Sequence, residues 1–278
     1  YYTIEEYKTL VAPEQTDKDG NIVMLYATDP TAQYSYIQAA ENRGYDVLVM
    51  DGQLDSHFVG LLEQKIEKSR LVRVDSDTLD NLIRKADRPQ VELSEAQRDI
   101  LSSLFNSQIP KVEGAQFFVQ FEAMGEKDAP ILITQNEYMR RMKEMAAMQP
   151  GMNFYGDMPD SYSLVVNTSN PTVKKVADAA DSALADKVAP LMETVRVNNA
   201  EITRLRDDKE GSKAENDKRV EELTAANDKA REEQNGIVAA YAREQPVVGQ
   251  LIDLALLANG LLRGADLSRF IDRSLSLL

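Results

Sequence analysis

The sequence predicts an α+β protein of two parts: a small strand-helix-strand-helix-strand segment, then an α+β region carrying a long helical hairpin and apolar C-terminal helices. Three observations carry this. Short Val/Leu/Ile-rich runs recur at similar intervals near the start. A charged stretch with coiled-coil spacing follows later, and the last 33 residues are dense in leucine.

Ile22 to Tyr26, Asp46 to Met50 and Leu71 to Val74 read as buried strands. Between the first two, Asp29 is a candidate N-cap and Pro30 suits a first helical position. Tyr34, Ile37 and Ala40 then share a face, and Gly44 supplies a stop. Between the next two, Asp55 is a candidate cap for a helix whose stripe is Phe58, Leu61, Leu62 and Ile66. This is a parallel sheet unit over residues 1–88, closed by a polar linker around Lys85 to Gln90.

The second domain is predicted over 89–278. Ser94 and Gln97 form a capping box before Ile100, Leu101, Leu104 and Phe105; Phe117, Val119 and Phe121 alternate as a strand does, and Ile131 to Thr134 and Ser163 to Asn167 supply two more strands. From 172 to 243 the pattern is long helix. Leu184, Val188, Leu191, Val195, Ile202 and Leu205 follow four- and three-residue steps, broken by a polar gap near Asn198. Gly211 interrupts the run, and Ser212 with Glu215 reads as a box restarting a helix through Val220 and Leu223, giving a hairpin.

Pro246 opens a helix that is apolar on more than one face, and Asp266 is a candidate cap for the last one. Val248, Leu251, Ile252, Leu254, Leu257, Leu261, Leu267, Phe270, Ile271 and Leu275 exceed what a two-helix hairpin can bury alone, and each large aliphatic side chain contributes roughly 1.5–3 kcal/mol when buried. Pairing of two copies into a four-helix bundle is the simplest solution, packing on the chain's own domain the plainer one.

Of the 278 residues, 43% are hydrophobic, and the formal net charge is −14. Such a chain repels phosphate backbones and anionic lipid, so nucleic-acid and membrane partners are not expected. The absence of cysteine removes disulfides and thiolate ligands. No apolar run reaches a membrane span of about 18 residues, and no leader of the secretory type is visible; the chain reads as cytoplasmic and as a piece of a longer protein.

Tyr138, Met142 and Met145 recur at helical spacing behind a box read from Thr134 and Glu137, with Met139, Met148, Met152 and Met158 nearby. On spacing alone such a stripe is ordinary core, although thioethers also suit an adaptable apolar surface. Asp29, Asp51, Asp55, Asp75 and Asp77 fall where strands end, so a magnesium and phosphoryl pocket with the hairpin as a coiled-coil output is the alternative class; helix caps and turns explain the same residues more simply. The single histidine, His57, excludes multi-histidine metal sites, and no phosphate-cradling loop or nucleophile elbow is present.

Five segments, in order, resemble the ninety-kilodalton heat-shock chaperones in their bacterial form: Tyr1-Tyr-Thr-Ile-Glu-Glu-Tyr7, Tyr45-Asp-Val-Leu-Val-Met-Asp51, Tyr138-Met-Arg-Arg-Met-Lys-Glu144, Ser163-Leu-Val-Val-Asn167 and Leu251-Ile-Asp-Leu-Ala-Leu-Leu257. The resemblance implies the end of a middle domain followed by a C-terminal dimerisation domain. It implies a stress-response protein of the cytoplasm that folds other proteins, with itself, unfolded clients and other chaperones as partners. ATP and magnesium would bind upstream of Tyr1, leaving no cofactor, metal or catalytic residue here. Client contacts fall on Tyr138, Met139, Met142, Met145 and Met148, and near His57 and Phe58. The hairpin looks like an insertion relative to shorter bacterial members, so no role is carried over to it.

Overall fold

A computed structural model describes residues 2–52, 54–148, 158–208 and 212–276, without the side chains of Ser56, His57, Glu144, Met145, Ala147, Met148 and Ser276. Its elements run α1 (Ile4–Gln15), β1 (Ile22–Ala27), α2 (Tyr34–Asn42), β2 (Val47–Val49), α3 (Asp55–Lys65), β3 (Ser69–Arg73), α4 (Leu79–Leu82), α5 (Glu95–Gln108), β4 (Ala115–Glu122), β5 (Ile131–Gln135), α6 (Glu137–Met148), β6 (Asp160–Asn167), α7 (Pro171–Asp207), α8 (Lys213–Ala242), α9 (Pro246–Ala258) and α10 (Gly264–Ser276). The mixed α+β class is observed.

The chain divides into two compact units: residues 1–91, 111–170 and 253–269, and residues 92–110, 171–252 and 270–278. In the first, a parallel sheet has the order β2-β1-β3. The central strand β1 is covered on both sides, which is why it reads as a continuous apolar run. Met24 and Tyr26 pack with Tyr7, Val11, Val59 and Leu62 from α1 and α3; Val23, Leu25 and Ala27 point the other way, to Tyr36, Ala40 and Leu82 from α2 and α4.

The second sheet of this unit has the order β4-β6-β5, with β4 parallel and β5 antiparallel to β6. Fully buried Asn167 closes its end. Its Nδ2 donates to the Gly125 carbonyl at 2.9 Å and its Oδ1 accepts from Met124 and Ser169 amides at 3.2 and 3.1 Å, so no polar atom is stranded.

The other unit is helical. Helix α7, 37 residues long and so about 55 Å, runs antiparallel to α8, since Asn198 meets Asn227 while Leu205 meets Asn216. Leu184, Val188 and Ile202 are buried as the spacing predicts, and Ile100, Leu101, Leu104 and Phe105 of α5 are buried as well. The polar gap near Asn198 is filled: Asn198 Nδ2 donates to Asn227 Oδ1, and Asn227 Nδ2 donates to Asn199 Oδ1, both at 2.9 Å.

Several local expectations change. Asp29 accepts from the amides of Thr31 and Ala32, capping the turn ahead of α2 rather than the helix itself, and Tyr36 replaces Tyr34 on the buried face because α2 begins four residues later than Pro30 suggests. Asp55 lies inside α3 and bonds back to the Gly52 amide. Ser212 precedes α8 without a side-chain cap, and Asp266 lies in the first turn of α10 paired with Arg269. The box at Ser94 and Gln97 forms fully. Gly211 lies outside the described residues.

Candidate functional site

Helix α6 begins where β5 stops. Its cap is Asn136, whose Oδ1 accepts from the Tyr138 and Met139 amides at 3.0 and 3.3 Å; Thr134, read as the cap, is buried within β5 opposite Ser163. Glu137 is thereby free for a different task. It accepts from the Tyr26 hydroxyl at 2.8 Å, Arg140 at 2.8 Å and Arg141 at 2.7 Å. Arg141 also reaches Glu63 on α3 at 2.9 Å and the Leu71 carbonyl at 3.3 Å, and Arg140 donates to the Tyr26 hydroxyl at 3.0 Å. The first turn of α6 is thus fastened to the parallel sheet by a partly buried ionic cluster.

Burial pushes the Glu137 carboxyl up, but the guanidinium of Arg140, the Tyr26 hydroxyl and Arg141 outweigh it and leave its pKa below the ordinary value. Burial together with the Glu137 charge pushes Tyr26 up to about 12, so its hydroxyl stays a donor.

Beyond this base, Tyr138 is 68% exposed. Met139 and Met142 are half-buried and Ala146 is buried, so α6 shows an apolar face that is only partly covered. The side chains of Met145 and Met148, and Met152 altogether, lie outside the described residues; Met158 is exposed. On α3, Phe58 and Leu61 are exposed while Val59 and Leu62 are buried, so the predicted stripe divides between core and surface. The His57 side chain is likewise outside the description.

The ten apolar residues singled out near the C-terminus, nine on the last two helices and Leu261 between them, separate in the same way. Val248, Ile252 and Phe270 are buried within a single copy. Leu254, Leu257, Ile271 and Leu275 are exposed, and Leu251, Leu261 and Leu267 are intermediate.

The acidic set does not assemble. Asp29 and Asp55 cap turns, Asp75 pairs with Arg73 at 2.5 Å, and Asp77 accepts from the Thr78 amide and Asn81. Among the described residues no group of three potential metal ligands occurs, and the magnesium and phosphoryl alternative loses the pocket it needs. Among them, too, no helix is long and apolar enough to cross a membrane.

The sequence gives no local sign of the Tyr26–Glu137 contact, which joins residues 111 positions apart. Tyr26 reads as strand filler and Glu137 as a capping residue. The only available hint was an arginine pair directly following an acidic residue one turn earlier.

Comparison with known proteins decides the family. No protein-family model matches. Chaperone protein HtpG of Bacteroides thetaiotaomicron is 45% identical over 283 positions, which take in 100% of this chain and 42% of that protein. Its counterpart in Porphyromonas gingivalis strain W83 is 46% identical over 288 positions, 100% of this chain and 41% of the relative. That of Bacteroides fragilis strain YCH46 is 46% identical over 283, 100% and 42%. The chain belongs to the HtpG family. It corresponds to the C-terminal part of these HtpG proteins and spans about two fifths of their length. The matched span includes the residues that form the α7–α8 hairpin.

Proposed function

We propose that this chain is the C-terminal part of an ATP-dependent molecular chaperone of the cytoplasm, joining two copies and contacting non-native polypeptides through partly exposed apolar side chains. The observation that carries the reading is identity of 45–46% to HtpG chaperones along the whole chain. Exposed Tyr138 on α6, and exposed Phe58 and Leu61 on α3, agree with it.

In this reading residues 1–88 are the small α/β/α part of a middle domain and 89–278 the dimerisation domain, with the hairpin over 172–243. Exposed Leu254, Leu257, Ile271 and Leu275 mark the faces of α9 and α10 that a second copy covers in a four-helix bundle. ATP and magnesium act in upstream domains, and this part contributes no cofactor site or catalytic residue. Upstream closure would alter the distance between the two client surfaces, with the C-terminal joint coupling the copies.

The test is suppression of client aggregation by the chain with Tyr138 and Met142 both replaced by Ser. Neither side chain is part of the buried core, so helix content should be preserved while suppression falls several-fold. Unchanged suppression would remove α6 from the client surface.

A further inference from the structure

Helices α1 and α3 both pack on the face of the parallel sheet that carries Met24, yet they leave a gap over β2. This pocket of about 360 Å³ is lined by Tyr2, Ile4, Tyr7, Leu48, Val49 and Phe58, among others, with Met24 and Met50 beneath. Four lining residues, Tyr2, Ile4, Val49 and Phe58, are large, apolar and exposed. Ligand pockets run from about 300 to 1,000 Å³, so this one lies at the small end and has room for one or two side chains.

One charged group faces the opening. Asp46 lines the pocket, and its Oδ1 accepts from the Tyr7 hydroxyl at 2.7 Å, which orients the carboxylate and leaves Oδ2 available. Among the described residues no lysine or arginine lines the pocket and none forms an ion pair with Asp46. The whole chain carries −14, so the field around the pocket adds to the attraction for a cation.

We propose that this pocket binds a bulky apolar side chain of a non-native polypeptide whose neighbouring residue is lysine or arginine, the apolar group filling the cavity and the cation meeting Asp46. This rests on the chaperone reading and gives it a sequence preference: unfolded segments in which a phenylalanine or leucine adjoins a basic residue are favoured over those in which it adjoins an acidic one. The carboxylate discriminates by attraction toward the first and repulsion of the second, while the apolar walls are indifferent to the flanks.

The test uses two short unstructured fluorescent peptides, each with one phenylalanine, flanked by lysines in one and glutamates in the other, titrated against the chain and followed by anisotropy. The lysine-flanked peptide should bind more tightly. Asp46→Asn keeps an acceptor for Tyr7 and should weaken that peptide by about two- to fivefold, the range of a solvent-exposed ion pair. Asp46→Lys should reverse the preference, and Phe58→Ala, at an exposed position, should weaken both peptides. Equal binding of the two peptides, or binding indifferent to all three variants, overturns the pocket. If that happens while the Tyr138 and Met142 double variant still loses aggregation suppression, the chaperone reading survives without it. If the chain suppresses no aggregation yet binds the lysine-flanked peptide in an Asp46-dependent way, the pocket stands and the chaperone reading of this region falls.

Discussion

The α7–α8 hairpin and the pair α9 and α10 are both helical, but they dispose of their apolar residues in opposite ways. The hairpin buries its apolar residues within its own unit, with α5 packed against both of its helices. Its long, charged helices hide a narrow stripe, and where that stripe would fail it inserts asparagines that satisfy one another. Helix α9 carries more apolar surface than its surroundings cover: Leu256 is 0% exposed and its neighbour Leu257 is 40% exposed. A step of one residue turns a helix by about 100°, which here carries the side chain from the covered side at Leu256 to the open side at Leu257. The lesson is that periodicity reveals how a helix packs within its chain, whereas surplus over that periodicity reveals what is left for something else.

The sharpest way to break this contrast is at those two leucines. Leu256→Ala should destabilise the chain by about 2–5 kcal/mol, the cost of a cavity in a close-packed interior. Leu257→Ala should leave the stability of the isolated copy within roughly 0.5 kcal/mol. Urea denaturation of both variants, at protein concentrations low enough to keep single copies, checks the pair. Equal losses would mean that α9 has no outward face.

The hairpin comes next. Asn227→Ala takes the partner at a buried site away from half-buried Asn198 and exposed Asn199, which water can still reach, at a cost of roughly 0.5–1.5 kcal/mol. The loss should be local, read as faster amide exchange across residues 195–202 and 223–231 with little change in the sheets. Replacement by Leu at 227 sharpens the point. It restores apolar volume but not the partners, so if it proved as stable as wild type the asparagine layer would be about alignment of the two helices rather than satisfied polar groups.

How much of this was legible follows the same line. The six strands and the hairpin helices stand out because their apolar residues obey a period set by the backbone, and the structure places them within a few residues of the predicted runs. Helix α1 was equally legible from Thr3 and Glu6, which form a complete capping box, but its buried face of Tyr7, Val11 and Gln15 is too weakly apolar to draw attention. At α6 the sequence pattern misleads. Thr134 and Glu137 have the spacing of a box, yet a cap needs the residue just outside the helix, and Thr134 is still hydrogen-bonded in a sheet. Burial of Val248, Ile252 and Phe270 within one copy was not legible either, because period alone cannot say which of two apolar faces looks inward.

The ionic base of α6 offers a smaller and pH-dependent effect. The folded-state pKa of Glu137 is depressed, so its contribution is present above the ordinary value of 4.5 and is lost as pH falls through the lower folded value. Stability of the wild-type chain should therefore drop more steeply on acidification below 4.5 than that of Glu137→Gln, which cannot titrate. Denaturation midpoints at a series of acidic pH values give the comparison, and parallel curves would show that the cluster around Tyr26, Arg140 and Arg141 contributes no net preference for the carboxylate.

The smallest effect on the stability of one copy should accompany the largest change in mass. Leu254 and Leu257 are exposed on α9, so Leu254→Asp with Leu257→Asp places two carboxylates where water already reaches, and the fold of one copy should tolerate them within about 0.5 kcal/mol each. In a bundle formed by two copies the same carboxylates would be buried without partners, a state costly enough to prevent association. Light scattering after size exclusion should accordingly give wild type near twice 31.1 kDa, persisting on dilution, and the double variant near the mass of one chain with unchanged helix content. Phe270→Asp makes a poor substitute, since Phe270 is already buried in a single copy and its loss would confuse unfolding with dissociation. A dimer that survives the double substitution would move the joint away from α9, and the outward leucines would then need another occupant.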